Sequence, residues 1–122
     1  MTTTTTFAAS INIDARKITD QIVTALESGY WMESFKPEGS DIKTDVSPWY
    51  DDEKIWSGDF KIRVGIYEDE DKLFTPESIR KGIQWLLTNH AWRIDEIVKE
   101  SGDAETADVF LQACLFEGIV YG

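Results

Sequence analysis

The hydrophobic period changes about halfway along the chain, and that change limits the fold more than any other feature. Between Phe60 and Ile66, the apolar side chains Phe60, Ile62, Val64 and Ile66 alternate with Lys61, Arg63 and Gly65. A strict period of two describes a strand with one face buried and one wet, as in an antiparallel sheet. From Thr75 onward the period is helical. Thr75, Pro76 and Glu77 supply an N-cap, a first-turn proline and an acid at the positive end of a helix dipole. Ile79, Ile83, Leu86, Leu87 and His90 then share a face, with Gly82 beside it as a point of close packing against the sheet. Ile94, Ile97 and Val98 continue the pattern after a break between Asn89 and Arg93. Asp103 caps a last helix, whose inner face is Ala107, Phe110, Leu111, Cys114 and Leu115.

The first half is read in the same way. Thr2 to Thr6, with Phe7, Ile11 and Ile13, predict a first strand whose start, residues 1–6, frays. Asn12 or Asp14 then caps a helix over Ala15–Ser28, with Ile18, Ile22, Ala25 and Leu26 inward and Gly29 as its stop. Tyr30 to Phe35 reads as a short strand, and residues 36–48 as a loop carrying two prolines and a glycine. Trp49–Trp56 and Asp59–Glu68 flank Ser57-Gly58, which predicts a hairpin. Strands cluster early and helices late. The expected fold is therefore α+β: one domain over 1–122, with an antiparallel sheet of three to four strands packed on one face by three to four helices. After the last helix, Gly118 is expected in a left-handed stop, so that Ile119, Val120 and Tyr121 fold back as a structural lock.

Few residues offer chemistry. His90 and Cys114 are the single histidine and cysteine, and both lie on apolar helix faces. Zinc needs more such ligands. Glu68-Asp69-Glu70-Asp71 lacks the alternating acids and central glycine of a calcium loop, and no glycine-rich phosphate loop occurs. The expectation is a non-enzyme without cofactor or metal. No apolar run reaches the length of a membrane span, and MTTTTTFAAS has neither the basic nor the apolar region of a secretory signal. A lone cysteine fits a reducing compartment. The net charge of -11 opposes direct contact with nucleic acid or anionic membrane and favours basic partners.

The acids form two dense clusters, Asp51-Asp52-Glu53 and Glu68-Asp69-Glu70-Asp71. In the predicted hairpin both reach the same end of the sheet, so that seven carboxylates form one negative edge. Duplex DNA carries a charge about every 1.7 Å of its axis, and such an edge imitates a row of phosphates. Trp49, Tyr50 and Trp56 flank the edge, either as interface anchors or as the cover of one sheet face.

Three stretches, ITDQIVTALESGYWME, FTPESIRKGIQWLL and TADVFLQACLFEGIVYG, resemble a group of small acidic proteins in tailed-phage genomes. The matching positions include Ile22 to Glu27, Ile79, Lys81, Gly82, Ile83, Asp108, Gln112, Leu115, Phe116 and Val120-Tyr121-Gly122. The resemblance carries no catalytic residues. It implies a phage accessory protein in the cytoplasm of an infected bacterium, and by analogy an anti-defence factor such as an inhibitor of a CRISPR effector or restriction enzyme. The partner expected is then a basic host protein or ribonucleoprotein complex. The alternative is an assembly accessory protein that forms a homo-oligomer.

Overall fold

A computed structural model describes residues 11–39 and 42–122. The element order is α1 (Ala15–Ser28), β1 (Met32–Pro37), α2 (Glu53–Trp56), β2 (Ile62–Ile66), β3 (Lys72–Phe74), α3 (Pro76–Asn89), α4 (Ala91–Lys99) and α5 (Ala104–Phe116). The fold is α+β, with a three-stranded antiparallel sheet in the order β1-β2-β3. Most of the expected first strand lies outside the described residues; within them, residues 11–14 adopt no regular structure.

The sheet is one-sided, as its alternation requires. Ile62, Val64 and Ile66 are buried towards the helices while Arg63 stays in water. Met32 pairs with Ile66 and Pro37 with Ile62, and Ile62 pairs in turn with Phe74. Phe35, Trp56, Phe60 and Phe74 form an aromatic cluster at this end of the sheet, with ring centroids 5.0–6.1 Å apart.

Helix α5 is the centre of the molecule. Thr106, Ala107, Val109 to Ala113 and Cys114 are all buried, against α1 on one side and α3 on the other. Its start is fixed by Asp103, whose carboxylate accepts from the Glu105 and Thr106 amides while Thr106 returns a contact to the Asp103 amide. This reciprocal cap satisfies donors that a helix start otherwise leaves bare. Buried Arg93 ties α4 to α5: it donates to Glu96 at 3.0 Å and to Thr106 at 3.2 Å, and forms an ion pair with Glu105 at 3.0 Å.

Several sequence expectations are corrected. Gly82 packs against α5, not the sheet: a β-carbon there would lie 2.5 Å from Cys114 Sγ and 2.7 Å from its Cα. Trp49–Trp56 is not a hairpin arm. Asp52 caps the single turn of α2, accepting from the Lys54 amide at 3.0 Å, and this diverts the chain from strand pairing. The left-handed residue after α5 is Glu117 at φ 49°, one position before Gly118. Ile119 and Val120 remain 45% and 57% exposed, so Tyr121 alone of the three packs inward.

Candidate functional site

Strand β2 ends at buried Ile66, and the next residue by alternation points outward. That residue is Tyr67, 55% exposed, whose amide donates to the Trp31 carbonyl at 3.1 Å. Glu68 takes the left-handed conformation at φ 59°, and the Asp69 amide returns to the Ile66 carbonyl at 3.3 Å. Asp69 also accepts from the Glu70 amide at 2.7 Å. This closes a tight turn with four consecutive exposed carboxylates, Glu68, Asp69, Glu70 and Asp71. Among the described residues, none of the four forms an ion pair.

Tyr30, 62% exposed, lies beside Trp31 and donates its hydroxyl to the Gly122 carbonyl. The Tyr121 hydroxyl reaches Asp69 at 3.4 Å. Partial burial, and then the negative charge of Asp69 and Glu68, push that hydroxyl above its ordinary titration range. Exposed tyrosines therefore border the acidic turn. Tyrosine offers a large, rigid, amphipathic contact surface, which suits an interface.

The expected single negative edge does not form. The chain enters β2 at Ile62 and leaves it at Ile66, so the two acidic clusters lie towards opposite ends of the strand. Asp51 is held by Arg16 in the first turn of α1, while Glu68–Asp71 sits near Trp31, beyond the last turn of α1. A helix of 14 residues spans about 20 Å. Asp51 is thus engaged within the molecule, and the bonds from Asp51 and Asp20 raise the Arg16 titration further. Asp52 serves as a cap, and Glu53 opens α2. Trp56 is buried and donates its ring N–H to the Tyr50 carbonyl at 2.8 Å; Trp49 and Tyr50 are half-buried around it. Trp56 belongs to the core, not to a contact surface. Sequence reasoning passed over Tyr30 and Tyr67, although the parity of the alternation already places Tyr67 outward.

The residues with chemical potential are dispersed. Cys114 is buried against Gly82, and burial pushes its thiol far above its ordinary range. His90 is half-buried at the α3–α4 junction between Trp85 and Trp92, with ring centroids at 5.4 and 6.5 Å. Among the described residues, no three His, Cys, Asp or Glu side chains are placed to hold a metal ion, and no helix is long and apolar enough to cross a membrane. A cleft of about 940 Å³ next to α2 has mixed walls, with Asp51, Asp52 and Asp59 among Lys43, Lys54 and Lys61. Compared with known proteins, the chain matches no family model, no curated protein and no solved structure.

Proposed function

We propose that this protein is a non-enzymatic, stoichiometric inhibitor that binds a basic nucleic-acid-handling protein through the Glu68–Asp71 turn and its tyrosine border. The carrying observation is a run of four exposed carboxylates without an ion pair among the described residues, set beside exposed Tyr30 and Tyr67. Some acids elsewhere are engaged, Asp51 by Arg16, Glu38 by Arg63 and Glu77 by Arg80, but the turn is a run of four in succession. Carboxylates on a short turn present charge to a cationic groove much as a few phosphates do, and complementary charge speeds encounter and sets specificity. The tyrosine faces add apolar area, and they accept arginine guanidinium groups by cation–π contact. The resemblance to tailed-phage proteins supports a host setting, the bacterial cytoplasm, and a defence effector such as a CRISPR ribonucleoprotein or restriction enzyme as the target.

The test is inhibition of DNA cleavage by a panel of such purified effectors. The full chain inhibits a susceptible member at near-equimolar dose, and inhibition weakens with added salt. The quadruple substitution Glu68→Gln, Asp69→Asn, Glu70→Gln, Asp71→Asn lowers potency at least about tenfold, equivalent to ~1.4 kcal/mol. Asp52→Asn with Glu53→Gln leaves it unchanged. The reverse ranking of these two variants overturns the assignment.

A further inference from the structure

The segment after α5 is held as a bound peptide would be. Gln112 is fully buried at 0% exposure, and its side chain serves that segment. Its Oε1 accepts from the Val120 and Tyr121 amides, both at 2.8 Å. Its Nε2 donates to the Tyr121 carbonyl at 2.9 Å and to Asp108 at 2.7 Å. Asp108 accepts in turn from the Trp31 ring N–H at 2.6 Å. The Tyr121 ring lies parallel to Trp31, with centroids 5.6 Å apart and 2° between planes, and its edge meets Phe116. The cleft thus reads two backbone donors, one backbone acceptor and one aromatic ring. The amide of one buried glutamine reproduces the hydrogen bonding of a neighbouring strand.

None of these contacts depends on which chain supplies the segment. The connector is short: Glu117, held in the left-handed region at φ 49°, then Gly118. A non-glycine residue in that region carries strain of order 1 kcal/mol. Extending α5 through Glu117 releases that strain and carries residues 119–121 away from their own cleft. Short strained hinges beside a separable element are the usual setting for exchange between copies.

We infer that the cleft formed by Gln112, Asp108 and Trp31 is a peptide-binding site that accepts residues 119–121 of a second copy of this chain, giving an exchanged dimer. This stands apart from the inhibitor proposal, since it needs neither a host partner nor the carboxylates Glu68, Glu70 and Asp71.

Complementary variants of the full chain test it. Tyr121→Pro removes the ring, its hydroxyl and one amide donor but leaves the cleft intact. Gln112→Leu disables the cleft but leaves the segment intact. Each variant alone sediments as one chain. An equimolar mixture, at about 1 mM to match the effective concentration a short connector provides, gives a species of twice the 13.9 kDa of one chain. Circular dichroism checks that both fold. Where Gln112→Leu does not, the donor becomes the peptide GIVYG fused to an inert carrier, and the receptor remains the Tyr121→Pro chain. A mixture, or a carrier fusion in its place, that forms no complex at that concentration overturns the proposal.

Discussion

Gly82 lacks a side chain because the backbone of α5 occupies the volume one would need. A β-carbon there would sit 2.7 Å from both Cα and N of Cys114, and backbone cannot yield as a flexible side chain can. Alanine is the better helix former by roughly 1 kcal/mol, but the enforced separation of α3 from α5 reverses that gain. Gly82→Ala is expected to lower the unfolding free energy by about 2 kcal/mol, measured by chemical denaturation. An unchanged or raised stability would show that the two helices are not in such close contact. Cys114→Ala removes the Sγ contact and restores only part of the loss, because the clash includes main-chain atoms.

Helices α1, α3 and α5 were legible because each combines a full apolar stripe with a stop or cap written in local residues. Asp103 is the clearest case. Its carboxylate serves two α5 amides, and α5 is the helix against which α1 and α3 pack. Asp103→Ala is therefore expected to reduce stability by about 0.5–2 kcal/mol, the range for loss of a good N-cap. Asp103→Ser should recover most of it, and a serine variant as weak as the alanine one would mean that charge, not capping, matters there. α2 was missed for the opposite reason. One turn is too short to show a 3.6-residue period, and Trp49, Tyr50, Ile55 and Trp56 fit a strand pattern just as poorly. The informative signal was Asp52 before Glu53, a cap followed by a first-turn acid. That misreading displaced the acidic edge: once α2 replaces a hairpin arm, Asp51–Glu53 and Glu68–Asp71 separate along β2. The Gln112 latch was illegible for another reason, since it joins residues that only the fold brings together.

Among the described residues, few ion pairs stand against the chain's net charge of -11. The pairs Arg16–Asp20, Arg80–Glu77 and Lys99–Asp95 are exposed, and such pairs contribute at most about 1 kcal/mol each. The remaining acids repel one another in the folded state more than in the expanded chain, and a short range of interaction relieves that repulsion. The screening length falls from about 30 Å at 0.01 M salt to about 10 Å at 0.1 M. Sodium chloride over that interval is therefore expected to raise the melting temperature of the isolated protein. A complex in which the Glu68–Asp71 turn faces a basic groove responds with the opposite sign, because salt screens attraction there. Calorimetry of the free chain and affinity measurements on the complex, across one salt series, separate the two terms. Melting that falls with salt would mean that attraction within the chain, through Arg93 and its partners above all, outweighs the surplus of acids. In that case the turn would not be poised for a cationic partner by the charge of the whole surface, and the tyrosine border would have to supply the recognition.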